Sequence, residues 1–318
     1  MKEKISIIVG GTGQFGICLS KFLLKKKHKV IVTSRFPSKA NKIYKKYSKI
    51  KILKLDVLDI KKIRKILTLY QPQYIFYFAG LSSPKISFIK KRETYQSNYE
   101  GCKNFLEIIK KDQINCKFLN ASSCEVFAAS NKKLGIKSKM RPVSPYGKAK
   151  QLSFNITRLY REKFNLKSFN AIIFNTESIY RDKNFLIPKI CIAAINAFKY
   201  KKKTSFGNIN IAREWNWCDE QIKFLIKFIE KKPQDFILSN GKLFSAQKML
   251  NFAFKYFKLN FKDYIYFEKK HLRKKDFKIK RSDFNACLKR NNLKRKSYIF
   301  GKKLVEQIIK ENLNEKQY

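Results

Sequence analysis

Short apolar runs alternate with segments of helical period from the N-terminus to about Ser178. The runs 4–10 (KISIIVG), 29–35 (KVIVTSR), 51–57 (KILKLDV), 74–80 (YIFYFAG), 116–122 (CKFLNAS) and 170–178 (NAIIFNTES) are bounded by turn formers and read as strands. Between them, 14–27, 38–47, 59–67, 93–111 and 145–164 place apolar residues every three or four positions and read as helices. Repeated βα units with strands this uniformly apolar predict a parallel sheet covered on both faces. The expected fold class is therefore α/β, a doubly wound Rossmann sheet. Past Ser178 the alternation breaks into a helix at 189–198, a strand-like 203–211, and helices at 219–231 and 245–257. This second half reads as a smaller α+β lobe. We expect a Rossmann domain over 1–177 and a substrate-binding lobe over 178–318, with part of 205–232 packing back on the first domain. No internal repeat or low-complexity linker separates them.

Length and composition narrow the class. A chain of 318 residues, 44% hydrophobic and 14% aromatic, suits a folded protein of about two domains. The opening apolar run is too short to span a membrane and no small-residue cleavage site follows it, so a soluble, cytoplasmic protein is expected. Seven scattered cysteines contain no CxxC pair, which fits reduced thiols. With two histidines, His28 and His271, neither a histidine metal centre nor a Ser-His-Asp triad is expected. The net charge of +49 would by itself suggest a polyanion partner. The charge is mostly Lys, however, spread along the whole chain and accompanied by abundant Asn and Ile. A coding sequence rich in A and T accounts for that pattern, so no nucleic-acid partner is expected. The densest tract, Lys269 to Lys303, is the place for one on the other reading.

The first chemistry is GGTGQFG after the first strand. Gly10, Gly13 and Gly16, with Thr12, Gln14 and Phe15 between them, form a GxxGxxG turn at the head of a helix. Such a turn lets backbone approach a pyrophosphate held at the positive helix terminus; a merely tight turn is the plainer reading. The second strand ends in Thr33-Ser34-Arg35, where an NAD-preferring fold places an acid. An arginine with neighbouring hydroxyls suits a 2′-phosphate, so NADP is the expected cofactor. Asp56 and Val57, then Phe78, Ala79, Gly80 and Ser82, end the third and fourth strands and would line it. Each could equally be ordinary strand-end sequence.

The second motif is Tyr146-Gly-Lys-Ala-Lys150. Spacing of i,i+4 stacks phenol and ammonium one helical turn apart, which favours the phenolate a general base needs. With Ser123 at the preceding strand end, the set reads as short-chain dehydrogenase/reductase chemistry on a carbonyl or alcohol. Glu125, two residues past Ser123, adds something further. If a sugar hydroxyl is oxidised to a ketone, the neighbouring C–H becomes acidic. A carboxylate there can take that proton and then protonate a departing hydroxyl. A solvated strand-end carboxylate is the plainer alternative. Cys124 reads as a small packing residue.

These segments together resemble the GDP-mannose 4,6-dehydratase family of extended short-chain dehydrogenases. The resemblance is carried by GGTGQFG, by Ser83 to Phe88, Ser122 to Glu125 and Ser144 to Lys150, by NTESIYRDKNFLIPKI (175–190) and by FGNINIAREWN (206–216). It implies conversion of GDP-mannose or a related nucleotide sugar to the 4-keto-6-deoxy sugar. Tyr146, Lys150 and Ser123 would serve C4 oxidation with NADP, and Glu125 the loss of water. It also implies that Arg181 contacts the cofactor, and that Ser83, Asn175, Lys189, Arg213 and Arg273 hold the substrate. The stretch after Arg35 is shorter than the family's, whose loop there reaches a neighbouring subunit, so a dimer through the two long helices is expected over a tetramer. The alternatives are a nucleotide-sugar 4-epimerase or 4-keto reductase, in which Glu125 is incidental, and a non-catalytic nucleotide-binding protein with a basic surface.

Overall fold

The computed structural model describes residues 3–128, 130, 132–268, 280–294 and 299–314. In chain order the first unit carries β1 (Ile5–Val9), α1 (Gln14–Lys25), β2 (Lys29–Ser34), α2 (Pro37–Tyr44), β3 (Ile50–Lys54), α3 (Ile60–Tyr70) and β4 (Tyr74–Tyr77). It continues with α4 (Pro84–Ile89), α5 (Lys91–Tyr95), α6 (Gly101–Lys111), β5 (Lys117–Ser123), α7 (Pro145–Phe164) and β6 (Ser168–Ile173). Then follow β7 (Thr176–Glu177), α8 (Leu186–Tyr200), β8 (Thr204–Phe206), β9 (Ala212–Arg213), β10 (Asn216–Trp217), α9 (Cys218–Ile229) and β11 (Asp235–Leu238). The chain ends with β12 (Phe244–Ser245), α10 (Ala246–Lys255), β13 (Ile265–Phe267), α11 (Phe284–Arg290) and α12 (Lys302–Asn314). Two compact units result: 1–128, 136–173 and 222–238 in one, and 129–135, 174–221 and 239–318 in the other.

The first unit is a seven-stranded sheet in the order β3-β2-β1-β4-β5-β6-β11, with every neighbouring pair parallel. That is the doubly wound class expected from the βα alternation. Strand order reverses beside β1, so the carboxyl ends of β1 and β4 flank the crevice where such folds take their ligands. Ile7, Val9, Ile31, Ile75, Tyr77 and Phe118 pack with α3 and α6 residues such as Ile63, Phe105 and Ile109 in one apolar cluster.

Three local outcomes differ from the sequence pattern. The 93–111 segment is interrupted by a π-helical turn at Gln96–Glu100. The Tyr77 hydroxyl donates to the Ser97 carbonyl (2.7 Å) and the Asn98 amide to that of Leu81 (3.2 Å), so side chains supply partners that irregular backbone lacks. The 170–178 run ends as sheet at Ile173; Thr176 and Glu177 pair instead with Asn216 and Trp217. The edge strand β11 was not anticipated at all. It is fixed by polar contacts. Buried Asp235 accepts from Arg158 Nε (2.9 Å) and Nη2 (2.7 Å), Arg161 Nη1 (2.9 Å) and Asn170 Nδ2 (2.9 Å). Asn170 in turn accepts from Asn120 (2.9 Å), which also donates to Ser153 Oγ (3.3 Å). This buried ladder ties β5, β6 and β11 to one face of α7, the helix that carries Tyr146 and Lys150.

The second unit is built on α8, α10 and α12, whose Ile190, Ala194, Leu250, Phe254, Leu304 and Ile308 share one apolar core. Three two-stranded ribbons, β7/β10, β9/β12 and β8/β13, complete it. Buried Glu214 organises its loops, accepting from Ser239 Oγ, from Gly241 N (3.2 Å), and from Ser282 N (2.8 Å) and Oγ (2.6 Å). Among the described residues no helix is long and apolar enough to cross a membrane.

Candidate active site

The glycine turn follows β1 because backbone there comes too close to its neighbours for side chains. Gly10 has φ +82°, and a Cβ on it would lie 2.6 Å from the Ala79 amide nitrogen. A Cβ at Gly16 would lie 2.6 Å from the Gly11 Cα. These contacts hold the turn, through Gly10 and Gly11 amides donating to the Thr33 carbonyl (3.2 and 3.1 Å), between the ends of β2 and β4. Gly13 differs. A Cβ on it would meet only the Gly10 carbonyl oxygen, at 3.6 Å, so the fold itself tolerates a larger residue there. Gly13 is also the N-cap of α1, with no side-chain cap and no acid in the first turn. A cradle that a Cβ would occupy, at a helix terminus left to its own N–H groups, fits a pyrophosphate. Arg35 is exposed just beyond β2, with its guanidinium 5.6 Å from the Phe36 ring. Asp56 is exposed and caps its own turn through Leu58 N (3.0 Å); the Phe15 and Phe78 rings meet at 5.5 Å, tilted by 30°. The structure therefore gathers the glycine turn, Arg35 and Phe78 to Gly80 at one end of the sheet.

β5 ends in Ser123 and breaks into a single 3-10 turn, Cys124–Val126. The Ser123 hydroxyl caps that turn by accepting from the Glu125 amide (3.2 Å). Opposite it α7 begins, with Ser144 accepting from Gly147 N (3.1 Å) and Pro at the first helical position. Gly147 is the contact point. A Cβ there would collide with the Glu125 carbonyl oxygen and sit 2.9 Å from Pro142 Cβ. The missing side chain lets the turn bearing Glu125 close directly on the helix turn bearing Tyr146. Gly147 stands out in the sequence only by its place next to Tyr146; its role in this contact depends on the fold. Gly147→Ala is expected to destabilise the protein by about 1–3 kcal/mol through this overpacking, read as a lowered urea midpoint at unchanged slope.

Lys150 lies one turn on, buried, with Nζ donating to the Ala121 carbonyl (2.7 Å) and 5.9 Å from the Tyr146 ring centre. Burial holds its pKa down to about 8, with only the Cys102 thiol opposing. Cys102 itself is pushed up to about 12 by burial, so it stays a neutral thiol there. Ser123, Glu125, Tyr146 and Lys150 thus come together within the first unit, half-buried Glu125 being the most accessible of them.

Ser83 caps α4 through Ile86 N (3.3 Å). The remaining candidates belong to the second unit. The Asn175 carbonyl accepts from Asn216 N (2.9 Å) and Nδ2 (2.7 Å). Lys189 Nζ stands 5.0 Å over the Phe206 ring, and buried Arg213 donates from Nη1 to the Ala212 carbonyl (2.8 Å). Arg181 lies 3.6 Å over Phe185. Arg273, and much of the basic tract from Lys269 to Lys303, lie outside the described residues.

Comparison with known proteins agrees with this architecture. Residues 7–305 match the family model described as GDP-mannose 4,6 dehydratase. GDP-mannose 4,6 dehydratase 1 of Arabidopsis thaliana is 27% identical over 98% of this chain and 90% of its own. The Vibrio cholerae GDP-mannose 4,6-dehydratase is 27% identical over 80% of this chain and 72% of its own. Among solved structures, the UDP-N-acetylglucosamine 4-epimerase of Methanobrevibacter ruminantium superposes with a TM-score of 0.85 at 21% identity, over all of both chains. DesIV, the dTDP-glucose 4,6-dehydratase of Streptomyces venezuelae solved with NAD and TYD bound, gives 0.84 at 14% identity, over 99% of this chain and 98% of its own. With the family model matched across nearly the whole chain, the protein belongs to the GDP-mannose 4,6-dehydratase family.

Proposed function

We propose that this chain is a GDP-mannose 4,6-dehydratase acting as an NADP-dependent hydro-lyase. The observation that carries the reading is Glu125, held by its backbone against the Tyr146 helix at Gly147 and two residues past Ser123. A bound nicotinamide supplies reversible hydride acceptance, so the net reaction consumes no reductant. Within it, Ser123 and Tyr146 hold the C4 oxygen, and the Tyr146 phenolate, supported by the Lys150 ammonium, takes the C4 hydroxyl proton. The resulting ketone acidifies C5–H. Glu125 takes that proton, and the C6 hydroxyl leaves with it as water. The proton held by Tyr146 balances the one returned at C5 when C6, having lost its hydroxyl, receives the hydride taken from C4.

The glycine turn, Asp56, Val57, Phe78 to Gly80, Ser82 and Arg181 would hold the dinucleotide. Arg35, with Thr33 and Ser34 and no acid beside it, favours a 2′-phosphate and hence NADP. Ser83, Asn175, Lys189, Arg213 and Arg273 would hold the nucleotide sugar. On α7, exposed Leu152 and Leu159 lie seven residues apart on one stripe, which supports a homodimer through α6 and α7.

Purified protein incubated with GDP-mannose and no added reductant is expected to yield a product lighter by one water in mass spectrometry, with NADP released on denaturation. An unchanged sugar mass with bound cofactor present would overturn the substrate. An isomer of unchanged mass would point to epimerisation.

A further inference from the structure

Glu177 is a buried carboxylate with no place in the steps above. It sits on β7, paired with β10 at Trp217, and its Oε2 has no hydrogen-bond partner among the described residues. Its ion-pair partner is Arg181, four residues on in the following turn, with Nε at 3.8 Å. That Nε is also buried without a hydrogen-bond partner. The two atoms face each other beyond hydrogen-bond reach, in a site that excludes solvent from both. The guanidinium is held from a second side by Phe185, whose ring lies 3.6 Å from Cζ, and its backbone is fixed by donation to the Ser178 carbonyl (3.1 Å). Arg181 keeps 17% side-chain exposure although Nε is buried, so the exposed part lies elsewhere on the side chain.

We propose that Glu177 is a positioning residue for Arg181: it holds the Nε edge of the guanidinium in the protein, leaves the outer nitrogens to meet a phosphate group of the bound nucleotide, and lets that contact strengthen when its own carboxyl takes up a proton. This rests on the reading of Arg181 as a nucleotide contact. The phosphate could belong to the dinucleotide or to the nucleotide sugar. A carboxylate beside Nε offsets the guanidinium charge that attracts a phosphate; a neutral carboxyl keeps the same shape and leaves that charge uncompensated. Conversely, a phosphate on Arg181 disfavours the carboxylate, so binding and protonation are linked.

The groups around Glu177 make it titrate where this matters. Burial raises its pKa to about 7, Arg181 opposing. Cys191 of α8 faces it as a neutral thiol, itself pushed up by burial, and β10 brings the uncharged Asn216 and Trp217. Asp182 and Lys183, on the same loop, are exposed. The sign is fixed: the folded protein holds the proton up to about pH 7, so any contact favoured by the neutral form weakens as pH rises through that value.

The test is NADPH titration by fluorescence and GDP titration by calorimetry, from pH 6 to pH 8.5, on the wild type, Glu177→Gln, Arg181→Ala and the double variant, with thermal melts as a folding control. The ligand that Arg181 binds is expected to lose about tenfold in affinity over this range in the wild type, as one unit of linked pKa change requires. Glu177→Gln should hold the low-pH affinity throughout. Arg181→Ala should bind weakly at every pH, and the double variant should match it. Ionisation of the ligand's own terminal phosphate, near pH 6, acts in the opposite direction, so the difference between wild type and Glu177→Gln isolates the carboxyl. Parallel pH profiles in those two proteins, with Arg181→Ala still weakened, would overturn the role of Glu177 and leave Arg181 standing. Unchanged NADPH and GDP affinities in Arg181→Ala would remove the reading on which the proposal rests.

Discussion

Replacing Tyr146 by Phe is expected to lower turnover roughly a thousandfold, the scale of a lost general base, while NADPH affinity changes less than about threefold. The expectation follows from what sets the position of the helix that carries the phenol. Tyr146 lies in the first turn of α7, whose position is set by the Ser144 cap, by the Gly147 contact with the Glu125 carbonyl and by the Asp235 ladder farther along. None of these needs the hydroxyl, so the variant should keep the fold and melt cooperatively. Lys150 adds a pH signature. Its pKa is held down to about 8 by burial, so the ammonium that supports the phenolate is lost as pH rises through that value. The kcat/KM profile should therefore fall on its alkaline side near pH 8. Lys150→Met should be slow at all pH and lack that limb. The same shift has a stability consequence of fixed sign: between about pH 8 and 10.5 the unfolded chain binds a proton the folded one does not, so folding becomes more favourable across that window. Turnover of Tyr146→Phe within tenfold of wild type would remove Tyr146 from its proposed role.

The parts of this fold that sequence disclosed are those governed by local period. Strands buried on both faces read as unbroken apolar runs, and helices on the sheet read at every third or fourth position, so β1 to β6 and the longer helices between them could be placed, while the six-residue α4 was missed. The glycine turn and the Tyr146–Lys150 pair were legible for the same reason, since each is one local geometry written in a few adjacent residues. What escaped depends on distant partners. β11 is only DFIL, preceded by Gln234 and followed by Ser239, and its membership of the sheet rests on register with Asn170 and on two arginines from α7. The π-helical turn is invisible in periodicity because one inserted residue barely shifts an apolar stripe; its partners, Tyr77 and Leu81, come from the preceding strand and loop. Glu177 could not be told from a solvated acid by spacing, since its burial depends on β10 some forty residues on.

Glu125→Gln separates elimination from oxidation and has the largest expected effect on product. The amide keeps the volume and the backbone of the turn, whose cap runs through the Glu125 amide nitrogen to Ser123 and whose carbonyl meets α7. Tyr146, Lys150 and Ser123 should therefore keep their places, and oxidation at C4 should continue. What is lost is a group able to take the C5 proton and hand it to the departing C6 hydroxyl. Water loss is expected to fall by about three to four orders of magnitude, the upper range for a positioned acid-base residue. The measurement is a single turnover with GDP-mannose deuterated at C4. The wild type should carry that deuterium into the methyl group of its product. Glu125→Gln should show reduced cofactor by its absorbance and yield no dehydrated sugar. If the variant still forms the lighter product at a rate near that of the wild type, some other group takes the C5 proton and Glu125 is the solvated strand-end carboxylate of the plainer reading. If neither oxidation nor water loss occurs while the variant melts normally, the carboxylate acts at C4, and the division of labour between Tyr146 and Glu125 must be redrawn.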